Sequence, residues 1–161
     1  MYIDSSLYNS FHIYIDIISN NRINFNIDKL DPSSRLITIY SIYEPSINIH
    51  EYIDRIINEI YNKDTHVDGL IITAVCLIKR IISNIMLNKY NIHRFIAGVL
   101  MLSQKLYDDI YYTNKCWSQI CGMTLEDINR IERDILIFLD YKIFIKHEEM
   151  ISVAKCIKYL E

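Results

Sequence analysis

Two pairs of adjacent acids, Asp108–Asp109 and Glu126–Asp127, could suggest paired carboxylates for acid–base chemistry. Paired carboxylates can act as general acid and general base when their surroundings separate their pKa values. Adjacent acids at helix ends are usually solvated instead, and Asp127 would also suit the positive first turn of a helix that begins after Thr124. We therefore expect no catalytic residue among them.

Other arrangements that catalysis or metal binding requires are missing from the sequence. The motifs G-x-G-x-x-G, G-x-x-x-x-G-K-[ST] and G-x-S-x-G do not occur, and the chain contains only 3 glycines. Its 5 histidines lack H-x-x-x-H spacing, and its 4 cysteines form no C-x-x-C pair. We predict that the chain is not an enzyme and that it uses no metal, cofactor or small-molecule substrate.

A polar cluster follows a long apolar segment and points to partner binding. The segment from Phe95 to Leu102 carries small and apolar residues on every side, and Gln104 and Lys105 then follow. A helix that is apolar all round lies in the middle of a bundle. Its polar carboxyl end must therefore leave the core, where it can meet another molecule.

Helices, rather than strands, are predicted to position these residues. About a fifth of the chain is Ile, a β-branched residue that favours strands, so the spacing of apolar residues has to decide. Between Pro45 and Asn62 the Ile side chains recur every three or four residues, as on one face of a helix. With 3 Gly and 2 Pro, the chain also has little room for the turns of a β-sandwich. The pattern predicts an all-α domain.

The same spacing predicts approximate boundaries. Pro45-Ser46 is predicted to cap one helix, and Thr124 is predicted to cap another. We expect a loop over 20–34, an extended segment over 36–43 and a polar loop over 108–114. The buried stripe after Thr124 is predicted to be Leu125, Ile128, Ile131, Ile135 and Leu139. Helices are predicted over residues 5–20, 45–62, 67–84, 91–107, 116–121, 124–140 and 147–161.

Charge and hydropathy restrict the class of partner and the location. A net charge of −3 with dispersed Lys and Arg does not predict a nucleic-acid-binding face. The longest uncharged apolar run, 69–78, is shorter than the roughly 20 residues that a membrane span needs, and no signal peptide is visible. Cys76 lies in an apolar helix pattern, which suits a buried free thiol in a reducing compartment. We expect a soluble intracellular protein of the cytoplasm, the nucleus or both.

Five segments form an ordered set within residues 36–145. They contain P-S-I and Y-x-x-R-I in 45–57, N-x-H-R in 91–95, K-x-Y-D-D and Y-Y-x-N in 104–114, W-x-x-I-x-G in 117–122, and L-x-x-I-N-x-I-E in 125–136. Each is weak alone, but their order and spacing are specific. Together they resemble the cyclin box of the small P/U-type cyclins, which are related to the fungal phosphate-regulon cyclin.

The resemblance implies a fold and a domain organisation. It implies a five-helix cyclin box over residues 36–145. An amino-terminal helix and loop would occupy 1–35, and a short carboxyl-terminal helix would occupy 146–161.

The resemblance also implies a function, which is to bind and activate a cyclin-dependent protein kinase. Lys105 and Glu132 match the family's residues that grip the kinase αC helix, and the position of αC controls the kinase's own Lys–Glu ion pair. The nearby apolar residues that would add burial are Leu106, Leu136, Tyr141 and Ile143.

Two positions depart from the family pattern. The second box helix usually carries an aspartate before arginine, but Lys79 precedes Arg80 here. That aspartate normally pairs with the arginine matched by Arg55, so either Arg55 finds another acceptor, such as a backbone carbonyl, or Lys79 turns to solvent. Gly98 lies in mid-helix at a cost of roughly 1 kcal/mol relative to Ala, which indicates a close helix–helix contact.

Two alternative functions remain open at this point. One is a cyclin-fold adaptor or scaffold that does not activate a kinase. The other is a helical transcription-factor module with the same five-helix fold, which would require a basic face.

Overall fold

The helices predicted from apolar spacing are present in the computed structural model, which describes residues 5–20, 39, 41, 43–61, 67–85 and 87–160. No strand occurs within these ranges, so the predicted all-α class is confirmed. A 3-10 turn, Ile82–Asn84, follows the third helix. The helices are α1 (Ser5–Asn20), α2 (Ile49–Ile60), α3 (Val67–Ile81), α4 (Ile92–Tyr107), α5 (Asn114–Cys121), α6 (Leu125–Phe138) and α7 (His147–Lys158).

The two most apolar helices, α3 and α4, form the centre of the molecule. They pack against each other, and α4 also packs against α2 and α6. On the other side, α3 packs against α1 and α7. This arrangement follows from their composition, because a helix that is apolar on all faces needs neighbours on all faces.

Gly98 allows α4 and α6 to approach closely, as its position in mid-helix predicted. A Cβ atom on Gly98 would lie 2.4 Å from Ile131 Cγ2 and 2.4 Å from Ile135 Cδ1. The missing side chain therefore sets the distance between the two helices that carry Lys105 and Glu132.

Two helix starts differ from their predicted positions. The cap of α2 is Asn48, whose Oδ1 accepts a hydrogen bond from the His50 amide at 2.8 Å, so the prediction of Pro45-Ser46 is wrong. The cap of α5 is Thr113, and the helix begins at Asn114 rather than at Cys116. In both cases the side chain just before the helix accepts a hydrogen bond from a first-turn amide, which decides where the backbone becomes helical.

The predicted cap of α6 is confirmed. Thr124 Oγ1 accepts from the Asp127 amide at 3.1 Å. Leu125 was predicted to be buried but is 43% exposed, because this first helical residue precedes the part of α6 that packs on α4. The other four members of the predicted stripe are buried.

Other predicted boundaries differ by only a few residues. The predicted helix 67–84 is α-helical to Ile81 and ends as the 3-10 turn. The predicted loop at 20–34 and most of the extended segment at 36–43 lie outside the described residues.

The Arg80 side chain on α3 forms hydrogen bonds to α7 and to the segment before it. Its Nε and Nη2 lie 3.2 Å and 2.6 Å from the two carboxylate oxygens of Glu149. Its Nη1 donates to the Lys142 carbonyl at 2.6 Å, and Nη2 donates to the Phe144 carbonyl at 3.0 Å. A planar guanidinium suits this task because it presents several donors in a fixed geometry.

All four cysteines are free, and Cys76 and Cys121 are buried. Burial raises the pKa of each of these two thiols to about 11. None of the helices in the described ranges is long and apolar enough to cross a membrane.

Candidate binding site at the α4–α6 junction

Lys105 and Glu132 form an ion pair where α4 ends against α6. Lys105 lies in the last turn of α4, and its Nζ is 2.5 Å from Glu132 Oε1. Each side chain is 19% exposed, so both charges lie at the protein surface but are mostly shielded from water. The structure thus joins the two residues that the sequence motifs selected.

Asn114 forms hydrogen bonds to both Lys105 and Glu132. The sequence predicts it in a loop, but it is the first residue of α5. Its Oδ1 accepts from Lys105 Nζ at 2.5 Å, and its Nδ2 donates to Glu132 Oε2 at 2.7 Å. The same Nδ2 donates to Asn129 Oδ1 at 2.7 Å. We call these four residues the Lys105 network. The one sequence feature that could have pointed to Asn114 is its position at the end of the Y-Y-x-N segment.

Gln104 holds the adjoining loop against the core. Its side chain is 2% exposed, and its Oε1 accepts from the indole Nε1 of Trp117 at 3.1 Å. The same oxygen accepts from the Tyr112 amide at 3.2 Å. Because Trp117 is fully buried, the loop between α4 and α5 is tied to a fixed point.

One acid of each pair forms hydrogen bonds to a separate partner. Asp108 accepts from the Tyr61 hydroxyl at 3.0 Å. Burial, followed by the nearby Asp108 charge, raises the pKa of Tyr61 above its usual value. Asp127 accepts two hydrogen bonds of 3.3 Å from Arg94. These bonds give both acids a structural role.

Exposed apolar side chains follow Lys105 in the chain, at the end of α4 and in the next loop. Leu106 and Tyr107 are 37% and 46% exposed at the end of α4, and Ile110 is 90% exposed in the following loop. The Tyr107 and Ile110 side chains line a groove of about 380 Å³ together with Gln104 and Asp108. The groove also includes Ile60 and Tyr61 at the end of α2.

The structure places the other three predicted contact residues at and beyond the end of α6. Leu136 is half-buried one turn after Glu132, and its carbonyl accepts from the Tyr141 amide at 2.9 Å. Tyr141 is 64% exposed, whereas Ile143 is half-buried against the core. The helix therefore ends by bringing Tyr141 back beside Leu136.

The turn that positions Tyr141 contains two left-handed residues. Asp140 and Tyr141 have φ values of 51° and 55°. The Asp140 amide donates to the Ile137 carbonyl at 3.0 Å, which, with the bond from Tyr141 to Leu136, completes the hydrogen-bond pattern that ends many helices.

Arg55 lies at a different junction, between α2 and α5. Its Nη2 donates to the Ile120 carbonyl at 2.8 Å, and its guanidinium carbon lies 5.5 Å from the centre of the Tyr52 ring. The Tyr52 hydroxyl donates to the Cys121 carbonyl at 3.1 Å. Lys79 is exposed. Arg55 therefore has a backbone acceptor, and Lys79 points to solvent.

No group of three or more His, Cys, Asp or Glu side chains is placed to hold a metal ion in the described part of the chain. The α4–α6 junction presents an ion pair that is bonded to Asn114, with the exposed Leu106 next to Lys105 in the chain.

Comparison with known proteins identifies related chains. The family model described as Cyclin matches residues 19–143. The PHO85 cyclin-like protein psl1 of Schizosaccharomyces pombe is 28% identical over 110 residues, which cover 66% of this chain and 44% of that protein. Cyclin-U3-1 of Arabidopsis thaliana is 30% identical over 101 residues, which cover 62% and 44%.

A shorter match covers part of PHO85 cyclin-7 of Saccharomyces cerevisiae, which is 31% identical over 64 residues, or 40% of this chain and 22% of that protein. The chain thus spans less than half the length of each of these three curated relatives.

Proposed function

The chain belongs to the cyclin family, with PHO85 and U-type cyclins among its relatives as the sequence motifs predicted, and we therefore propose that it is the regulatory subunit of a cyclin-dependent protein kinase. In this role it binds and activates the kinase and has no catalytic residues of its own. Residues 36–145 form the cyclin box, flanked by 1–35 and 146–161.

The Lys105–Glu132 pair is the observation that supports kinase binding best. A protein kinase is active only when its αC helix is positioned so that its Lys–Glu ion pair is assembled. A protein that binds only this arrangement shifts the kinase population toward it. Lys105 and Glu132 supply a donor and an acceptor side by side, suited to charge-assisted hydrogen bonds that fix the register of αC.

Asn114 makes this polar centre rigid before the partner arrives. Because it bonds to both charges, the two side chains are already ordered in the free protein. Ordering side chains during association costs about 0.5–1.5 kcal/mol each, so an arrangement that is already ordered lowers the cost of binding.

The apolar neighbours provide the remaining area. Leu106 and Tyr141 are exposed, and Leu136 and Ile143 offer partly exposed surface beside them in the chain. Burial of exposed apolar surface stabilises a complex by roughly 25 cal/mol per Å² before the costs of association. We propose that αC and its neighbouring kinase surface cover these four side chains.

A charge exchange tests the proposal while preserving the fold. The double variant Lys105→Glu/Glu132→Lys retains an ion pair between the same positions, and the Asn114 amide can rotate to bond to both. The kinase would now meet reversed charges. We expect the wild-type chain to capture a cyclin-dependent kinase from native lysate and to stimulate purified candidate kinases, and we expect the double variant to do neither.

Glu126→Arg/Arg130→Glu is the matched control, because it exchanges an exposed ion pair on the same helix away from Lys105. It should retain kinase binding. Stimulation of a kinase by the charge-exchanged variant at the wild-type level would rule out the assigned site. Failure of the wild-type chain to bind any cyclin-dependent kinase would rule out the proposed function.

The adaptor function is the second candidate, because Lys105 and Glu132 already satisfy each other in the free protein. An adaptor would keep its main partner in the charge-exchanged variant and would not stimulate kinase activity. The net charge of −3 gives no support to nucleic-acid binding. We propose an intracellular location, in the cytoplasm or nucleus, where cyclin-dependent kinases act.

A further inference from the structure

A cluster of titratable side chains joins α1 to α2, far along the chain from the α4–α6 junction. His12 Nδ1 lies 2.7 Å from His50 Nδ1. His12 Nε2 is 3.1 Å from Asp54 Oδ1, and His50 Nε2 is 2.9 Å from Asp16 Oδ1. The Tyr8 hydroxyl also donates to Asp54 Oδ1.

The hydrogen-bond geometry determines how many protons the two rings carry. A carboxylate only accepts hydrogen bonds, so each Nε2 must carry hydrogen to face its aspartate. The short contact between the two Nδ1 atoms needs one N–H and one lone pair. The two rings therefore hold three ring protons, which makes one imidazole neutral and the other an imidazolium.

We propose that His12 and His50 share one proton and form a pH-sensitive latch that holds α1 against α2 near neutral pH and loosens it in acid. His12 is the neutral acceptor and His50 is the charged donor. The inference concerns the attachment of α1 and does not depend on the proposed kinase partner.

The surroundings support this division of roles. The His12 side chain is 18% exposed and that of His50 is 31% exposed, so the charge is better hydrated on His50. Burial lowers the pKa of His12 below its ordinary value of 6.5, which outweighs the opposite effect of Asp54. The charge of His50 lowers it further, and Asp16 raises it.

Two titratable side chains on the other helices that pack on α1 act on other partners. On α3, Cys76 acts on Tyr14 rather than on His12. On α7, Glu149 is paired with Arg80. Among the described residues, the side-chain charges that shift the pKa of His12 belong to Asp16 on α1 and to His50 and Asp54 on α2.

Acid removes the hydrogen bond between the two rings because His12 Nδ1 cannot accept a hydrogen bond once it carries a proton of its own. Protonation of His12 at Nδ1 would direct that N–H at the N–H of His50 and remove the bond between the rings. Two imidazolium rings would then face each other with centroids 4.9 Å apart. Like charges at this distance repel, so protonation favours separation of α1 from α2.

The sign of the pH effect follows from the lowered pKa of His12. For His12, the contribution to stability is present above the unfolded value of 6.5 and is lost as the pH falls through the folded value. Leu7, Phe11, Ile15 and Ile18 still bury the apolar face of α1. We therefore expect faster local opening of α1 rather than unfolding of the whole chain.

Hydrogen exchange on the full chain measures this opening. We expect protection of amides in residues 5–20, corrected for intrinsic exchange, to fall by up to about tenfold per pH unit below pH ~6.5. Protection in α4 should fall less. All samples contain a chelator, so that a bound metal cannot replace the shared proton between the two Nδ1 atoms.

Two variants and a control isolate the ring pair. His12→Gln can still donate to Asp54 but cannot be protonated, so the acid-dependent loss of α1 protection should disappear. In His50→Gln, His12 keeps Asp54 but loses the neighbouring cation, so the acid-dependent loss of protection should be smaller than in the wild type. His147→Gln removes an exposed histidine and should behave as wild type.

Nitrogen-15 NMR of the histidine rings gives an independent readout at pH 7. The expected spectrum shows His12 protonated only at Nε2 and His50 protonated at both nitrogens. Two neutral rings at pH 7 would overturn the proposal. So would α1 protection that is independent of pH in the wild type, or one that falls equally in the wild type, His12→Gln and His50→Gln.

Discussion

Lys105 and Glu132 lie 27 positions apart in the chain, yet Lys105 Nζ is 2.5 Å from Glu132 Oε1. The approach of α4 and α6 at Gly98 brings the two side chains together, and Asn114 from a third helix holds them in place. The pair therefore has a structural role in the free protein in addition to its proposed role in kinase binding. These two roles can be separated by experiment.

Single charge changes should destabilise the fold more than the charge exchange does. Lys105→Glu alone places two carboxylates together in a mostly shielded site, and we expect a loss of about 1–3 kcal/mol. Lys105→Glu/Glu132→Lys should recover much of this loss because an ion pair is restored. Urea unfolding of both single variants and the double variant measures the coupling; additive losses would contradict it.

Replacement of Asn114 by Asp should lower the stability of the fold more than replacement by Ala. Asn114→Ala removes the hydrogen bonds to both charges, at a cost of about 1–2 kcal/mol. Asn114→Asp keeps the bond to Lys105 but turns an acceptor toward Glu132 Oε2, which adds repulsion. Chemical denaturation at pH 7 should therefore rank the wild type as most stable, Ala next and Asp last, with Asp recovering as the pH falls. Equal stability of the two variants would show that the Asn114 donor contributes little.

Gly98→Ala has two opposite effects on stability, a gain in helix propensity and a loss from crowded packing. Ala is better by about 1 kcal/mol in a helix interior, but overpacking a core commonly costs about 1–3 kcal/mol. Since the new Cβ would lie 2.4 Å from Ile131 Cγ2, we expect a net loss. Ile135→Val removes the second clashing atom, so thermal unfolding of the double variant should show less than the additive loss. A stabilised Gly98→Ala would contradict the close contact.

Arg80→Lys should weaken the attachment of α7. Lysine keeps the charge but cannot contact both Glu149 oxygens and two carbonyl groups at once, so we expect a loss of about 1–3 kcal/mol. Hydrogen exchange should rise in residues 147–158 more than in α4. Arg130→Lys, at an exposed ion pair on α6, is the control and should change neither region.

His93 should add a separate acid sensitivity to the global stability. Burial lowers its pKa below 6.5, although its bond to the Ile47 carbonyl acts in the opposite direction. Its contribution is therefore present above pH 6.5 and is lost as the pH falls through the folded value. We expect up to about 1.4 kcal/mol of stability to be lost per pH unit in that window.

His93→Gln should flatten the pH dependence of the unfolding free energy, because glutamine can donate to the same carbonyl without being protonated. His147→Gln, at an exposed position, should leave the wild-type slope unchanged. If the unfolding free energy changed equally with pH in the wild type and both variants, His93 would not contribute to the acid sensitivity.

The helices were predictable within a few residues because their signals are local. Apolar residues three and four positions apart define one face of a helix, and Thr124 caps α6 through an amide only three residues away. The start of α2 was misplaced because Pro45, Ser46 and Asn48 are all plausible there. The Asn48 side chain decides it by reaching the His50 amide.

The sequence by itself determined the all-α class and the two buried helices, and its resemblance to the cyclin box implied Lys105 and Glu132 as candidate contacts. The tertiary structure alone decided that Asn114 joins them, that Arg55 bonds to the Ile120 carbonyl, and that His12 meets His50. The last two contacts join residues 65 and 38 positions apart. Helix periodicity depends on neighbours in the chain, but such contacts depend on packing angles and close approaches that no local pattern contains.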